Sequence, residues 1–147
     1  RVSVCGTFYI AQADQYRGTY GERGMNAYET AAWVNKQVNT SVTYKKDSQL
    51  YGKPEHWEPA GKYGDCEDYA LLKRGRLLAL GWAPDKIGLV TCRLPSGEGH
   101  CVVWVDTNDG YFILDNIHTE PRTPSLLNYE WESMLCNGKW LKLLAWQ

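Results

Sequence analysis

The sequence runs to 147 residues, 44% of them hydrophobic, with 16 Lys plus Arg against 17 Asp plus Glu and a formal net charge of -1. That length suits one domain spanning residues 1–147, with a core large enough to need neither a disulfide nor a metal merely to fold. The near-neutral balance, without a basic stripe, excludes electrostatic steering towards nucleic acid or an acidic membrane face, and no apolar run is long enough to insert across a bilayer.

Residues 1–24 carry Gly, Tyr and Arg without a clear period and read as a loose or partly extended lead-in. They open at Arg1 rather than Met, so the expectation is that processing or trimming took the true start together with any export signal. From Asn26 the pattern sharpens: Tyr28, Ala31, Ala32, Val34 and Val38 fall near helical spacing, which predicts a helix from about Met25 to Val38. A short extended piece at Val42 to Tyr44 follows. Next comes a stretch studded with Gly52, Pro54, Pro59, Gly61 and Gly64, an ordered loop of a length that compact domains usually keep for function.

The segment GDCEDYALLKRGRLLALGW is the clearest helix in the chain. Asp65 is a good N-cap, Asp68 stands where a capping-box acid belongs, Gly81 sits at the C-terminal cap and Pro84 lies just beyond. Cys66 is thereby placed at the first helical position. Ile87 to Leu94 and His100 to Val105 read as strands, Thr107 to Gly110 as a polar turn and Tyr111 to Leu114 as the returning strand, while Asn137-Gly138 marks a hairpin between Glu130 to Leu135 and Lys139 to Ala145. Helices first and antiparallel strands later define an α+β class, with the helix that bears Cys66 packed on the sheet. The seven Trp and ten Tyr against two Phe suggest either half-buried aromatics lining a groove or thick core packing.

Five cysteines fit neither a zinc site nor an even disulfide framework. Cys92 and Cys101, in apolar strands, read as small buried hydrophobes, and a bridge between Cys5 and Cys136 requires an oxidising compartment. Cys66 differs. A thiol at a helix start faces unpaired N–H groups and the positive end of the helix dipole, which favour the thiolate and can also hold an oxyanion. Such a nucleophile needs an imidazole, and His100 meets that need best, at the mouth of a rigid strand entered from Ser96-Gly97-Glu98-Gly99; His56 and His118 read as lone surface histidines. If the hairpin loop is even, Asp106 pairs with Tyr111 and Asp115 falls opposite Val102, diagonal to His100 on the same face. Asp106 and Asp109 read as solvated turn formers. Asp65, Glu67 and Asp68 oppose the thiolate by their charge, and a divalent cation on these hard oxygens would relieve it.

The text VNKQVN, VTYKKD, YGKPEHWEPA, GDCEDYALLKRGRLLALGW, GHCVVWV and GYFILDN, in that order over Val34 to Asn116, resembles the bacterial transglutaminase-like cysteine proteinases of the LapG type. The resemblance implies a papain/transglutaminase-like core, a catalytic triad of Cys66, His100 and Asp115, and calcium held by Asp65 and Glu67. It further implies a periplasmic cysteine endopeptidase that cuts a large surface adhesin to release a biofilm, restrained by a regulatory membrane receptor that senses a cyclic dinucleotide. Trp57 is expected to border the oxyanion hole. Three rival functions share these residues: a transglutaminase passing the acyl group to an amine, a cell-wall amidase or peptidase, and a non-enzymatic binding module on the same scaffold.

Overall fold

The computed structural model describes residues 25–44 and 63–143. Its first helix, α1 (Ala27–Ser41), begins in a capping box: the Asn26 side chain accepts from the Glu29 N–H at 2.8 Å and the Glu29 carboxylate accepts from the Asn26 N–H at 3.4 Å. Such a cap contributes about 1 kcal/mol. The helix runs three residues past the expected Val38. Its last turn is polar, and the Thr40 hydroxyl donates back to the Lys36 carbonyl at 2.8 Å, so the helix outlasts the apolar pattern that advertised it.

The short β1 (Thr43–Tyr44) then pairs in parallel with β2 (Tyr63–Gly64), which delivers the chain to α2 (Cys66–Ala79). Asp65 and Asp68 form the anticipated capping box, each carboxylate accepting the other's backbone N–H at 3.4 and 3.2 Å. At the far end the Trp82 N–H reaches the Leu77 carbonyl and the Gly81 N–H the Leu78 carbonyl, a Schellman closure that requires the positive φ of 97° at Gly81. Cys66 is therefore fixed by both ends of its helix.

The sheet comprises β3 (Ile87–Arg93), β4 (Gly99–Thr107), β5 (Gly110–Leu114), β6 (Glu130–Cys136) and β7 (Lys139–Lys142), ordered β5-β4-β3-β6-β7 and antiparallel throughout. The hairpin register is the anticipated one, Asp106 opposite Tyr111 and Val103 opposite Leu114. The β6–β7 turn also follows its Asn-Gly signal, with φ of 51° and 78° at Asn137 and Gly138. Adjacency of β6 to β3 carried no sequence signal, because a long connection brings it there.

β4 is buried on both faces. Cys101, Val103 and Val105 join Leu89, Leu77, Val34 and Val38 beneath the two helices, while Val102 and Trp104 join Val90, Tyr111, Ile113 and Met134 on the opposite face. The two-sided burial makes β4 the most constrained strand and a firm mount for the residue at its mouth. Gly88 in β3 has no room for a side chain: a Cβ there would lie 1.9 Å from the Leu135 carbonyl oxygen, which the Trp104 indole N–H already engages at 3.2 Å.

Two readings need correction. Asp106 is not a solvated turn former; it lies buried inside β4, because the turn is only Asn108 and Asp109 and the strand reaches Thr107. His118 is not a lone surface histidine but is half-buried, its backbone carbonyl held by Asn35 and Asn39 of α1 at 3.1 Å each. Cys92 and Cys101 are buried and outside any disulfide, as expected of small buried hydrophobes, and Cys136 is disulfide-bonded. Cys5, His56, Trp57 and most of the Gly- and Pro-rich loop lie outside the described residues.

Candidate active site

Cys66 opens α2 where the helix meets β4. Its thiol donates to the Glu67 carboxylate at 3.3 Å, and the backbone of Cys101, the residue after His100, hydrogen-bonds the sulfur. Burial pushes the thiol pKa far up, the Glu67 charge pushes it further, and the Cys101 hydrogen bond opposes both without prevailing. The thiol in this arrangement is protonated. The helix dipole, expected to favour a thiolate, is outweighed by desolvation and an adjacent carboxylate.

His100 stands at the mouth of β4, 8% exposed, and its Nε2 lies 2.8 Å from Asp115 Oδ1. Asp115 follows β5 directly, where the Val103–Leu114 pair carries it to the diagonal position expected from an even loop. Three further bonds hold it. The Ile117 N–H donates to Oδ1 at 3.0 Å, the Tyr129 hydroxyl donates to Oδ2 at 2.5 Å, and Asn39 Nδ2 donates to its backbone carbonyl at 2.9 Å and to that of His118 at 3.1 Å. Burial raises the carboxyl pKa, but the bond and charge of His100, with the donors from Tyr129 and Ile117, outweigh it and hold Asp115 below the usual range. Asp115 is therefore an anion at neutral pH.

His100 and Asp115 are thus in direct contact, and Cys66 is set beside the residue that follows His100 with its thiol turned to Glu67. With Nε2 committed to Asp115, Nδ1 is the ring nitrogen left to serve the sulfur. Asp65 caps the helix, so its carboxylate helps place Cys66 whether or not it also meets a cation. Tyr44, 45% exposed, marks the rim; its phenol is pushed up to about 12 by burial and by the charges of Cys66, Glu98, Asp65 and Glu67. Asp65 and Glu67 have the donor chemistry of a calcium ligand pair. Among the described residues no group of three or more His, Cys, Asp or Glu side chains converges on one point, so these two supply part of an oxygen shell at most.

Tyr129, Asn39 and Lys73 escaped the sequence reading. Tyr129 arrives from a connection with no periodicity, whereas Asn35 and Asn39, polar residues four apart on the helix that also bears Val34 and Val38, carried a signal that passes for helix surface. Lys73 lies on α2 two turns beyond Cys66 and is only 1% exposed, with Nζ 5.9 Å from the centre of the Tyr69 ring. Burial pushes its pKa down to about 7, the Asp115 charge opposing. Between that value and the ordinary 10.5 the unfolded chain holds a proton the folded chain lacks, so wild-type stability rises with pH across this window. Lys73→Met is expected to remove the rise. Denaturant titrations of both proteins at pH 7 and pH 10 should show a difference between them that changes by on the order of 3–5 kcal/mol, and parallel curves would refute the assignment.

An antiparallel sheet with a cysteine-bearing helix docked on it, and a His–Asp pair on the neighbouring hairpin, is the core of the transglutaminase-like class of α+β proteins. The chain belongs to the bacterial transglutaminase-like cysteine proteinases (BTLCP), whose family model matches residues 12–145, and it is a cysteine protease. Solved structures of LapG from Legionella pneumophila share the fold. The calcium-bound form matches with a TM-score of 0.72 at 18% identity over 95% of this chain and 78% of that one, and the EGTA-treated form with 0.69 at 18% over 93% and 75%. No curated protein matches the chain.

Proposed function

We propose that the chain, as one domain, hydrolyses peptide bonds of a protein substrate with Cys66 as nucleophile, His100 as its base and Asp115 orienting that base. The observation that carries this reading is the buried 2.8 Å contact of His100 Nε2 with Asp115, beside a thiol at the first position of a helix. In the proposed step the thiol turns from Glu67 to Nδ1 of His100, which accepts its proton as the sulfur attacks the carbonyl carbon. The N–H groups at the start of α2 hold the resulting oxyanion. His100 returns the proton to the departing amine. A water, deprotonated by the same nitrogen, then cleaves the thioester and frees the acid product.

Asp65 and Glu67 are the proposed calcium ligands, supported by their hard-oxygen chemistry and by the calcium-bound form of LapG. A bound cation would offset the Glu67 charge that now raises the thiol pKa. Exhaustive chelation is accordingly expected to cut proteolysis at least tenfold and to lower Tm, both restored by added calcium, with Glu67→Gln blunting the calcium-dependent Tm shift. Full activity in excess chelator would remove the metal from the mechanism.

The bonded state of Cys136 and the family resemblance support an exported, periplasmic location, with a large bacterial surface adhesin as substrate and a membrane receptor as regulator. Among the described residues no helix is long and apolar enough to cross a membrane. The test is incubation of purified adhesin fragments with wild type and with Cys66→Ala in the presence of a labelled amine, followed by mass spectrometry of new termini. New termini formed by wild type alone, with no label incorporated, are the expected result. Label in the acyl product would instead favour acyl transfer, and identical spectra from both proteins would exclude the adhesin.

A further inference from the structure

Asp115 presents two oxygens to two different sides. Oδ1 is shared between His100 Nε2 at 2.8 Å and the Ile117 N–H at 3.0 Å, whereas Oδ2 accepts from the Tyr129 hydroxyl at 2.5 Å. A carboxylate held at one oxygen alone can turn about its Cβ–Cγ bond, a broad two-fold torsion with no sharp staggered minimum. A donor on the second oxygen fixes its plane. Tyr129 also meets the imidazole directly: the rings of Tyr129 and His100 lie edge to face, with centroids 5.8 Å apart and planes at 84°, and the far side of Tyr129 is backed by Trp131 at 5.6 Å. Edge-to-face packing of this kind contributes about 1 kcal/mol beyond burial and holds ring orientation.

The direction of the hydrogen bonds is determined as well. Asp115 is held as an anion, so the phenol donates to it, and the Tyr129 oxygen accepts whatever His118 Nε2 offers across 3.5 Å. Burial and the Asp115 carboxylate push the phenol pKa well above its ordinary value, so it remains a donor throughout the working pH range.

We propose that Tyr129 is a positioning residue for His100: its hydroxyl locks the Asp115 carboxylate plane and its ring braces the imidazole, keeping Nδ1 directed at Cys66. The assignment rests on the triad reading given above. It requires no substrate contact by Tyr129, which reaches the reacting atoms through Asp115 and His100.

Tyr129→Phe keeps the ring and deletes the hydroxyl, and Tyr129→Ala deletes both. The probe is iodoacetamide, with alkylation followed at Cys66 by peptide mass spectrometry so that Cys92 and Cys101 do not contribute, and with Tm measured for each variant. Tyr129→Phe is expected to slow Cys66 alkylation roughly tenfold with the fold intact, and Tyr129→Ala to slow it further. In proton NMR the low-field Nε2–H resonance of His100, identified by its disappearance in His100→Ala, should shift in Tyr129→Phe, a signature that a purely structural phenol would not move. Wild-type alkylation rate and an unmoved resonance in Tyr129→Phe would overturn the proposal. If His100→Ala and Asp115→Asn also alkylate at the wild-type rate, the triad reading itself fails; if they are slow while Tyr129→Phe is fast, the positioning role alone is lost.

Discussion

Replacement of Cys66 by alanine is expected to reduce proteolysis by about 10⁵- to 10⁶-fold, leaving only the residual rate that substrate binding and the oxyanion donors support, with Tm within a few degrees of wild type. Loss on this scale follows from the proposed role: without the sulfur no acyl-enzyme would form, and His100 would have nothing to activate but water. Retention of the fold follows from the local structure. Alanine is the best helix former, the start of α2 is held by the Asp65–Asp68 box rather than by the thiol, and the Schellman closure at Gly81 lies at the far end of the helix. Against the lost packing stands the removal of a buried thiol beside a carboxylate. Cys101→Ala is the informative contrast, since Cys101 is 2% exposed in the core beneath the helices and outside any disulfide. Its replacement should cost on the order of 1–2 kcal/mol of stability and leave the nucleophile in place. Cleavage assays and thermal melts of the two variants together separate chemistry from folding. A Cys66→Ala protein that still cleaves would transfer the nucleophile elsewhere.

Much of this site was legible before any coordinates because its parts are encoded locally. Asp65, Cys66 and Asp68 form a helix start that reads as one from four residues, and the Asn-Gly turn marks its own hairpin, whereas the β4–β5 register followed only on the condition, met in the structure, that the loop is even. That parity brought Asp115 to His100. The surroundings of the pair were not legible, because no local pattern announces them: Tyr129 comes 14 residues after Asp115, just ahead of β6, and Asn39 donates to the Asp115 carbonyl from 76 residues earlier. The misreading of Asp106 has the same origin in reverse, since a turn two residues long instead of four draws it into the strand. Lys73 shows the limit of charge as a guide to exposure, for a lysine in a KRGR run carries no signal of burial and is nonetheless among the most buried of the described residues.

Asp115→Asn is expected to lower kcat by about 10²- to 10⁴-fold while KM changes little, an effect second only to loss of the nucleophile. The substitution is nearly isosteric, and each amide rotamer fails for a different reason. With the amide oxygen towards His100 and Ile117, the ring keeps its tautomer but the imidazolium that forms during attack loses its counter-charge. With the amide nitrogen towards His100, Nε2 must accept, its proton moves to Nδ1, and the nitrogen that should take the thiol proton already carries one. Ile117 biases the choice: its backbone N–H can only donate and calls for the amide oxygen at the Oδ1 position, whereas the Tyr129 hydroxyl can turn to accept from an amide N–H at the Oδ2 position. The loss of counter-charge is therefore the main defect. A pH effect follows from the same carboxyl. Its pKa lies below the unfolded value, so its contribution to stability is complete above about pH 4 and is lost as pH falls through the folded value. Acid unfolding of Asp115→Asn should accordingly show a shallower loss of stability below pH 4 than wild type. Wild-type kcat in Asp115→Asn, or acid transitions of equal slope, would show that the short contact with His100 orients nothing and leave Cys66 and His100 to act as a pair.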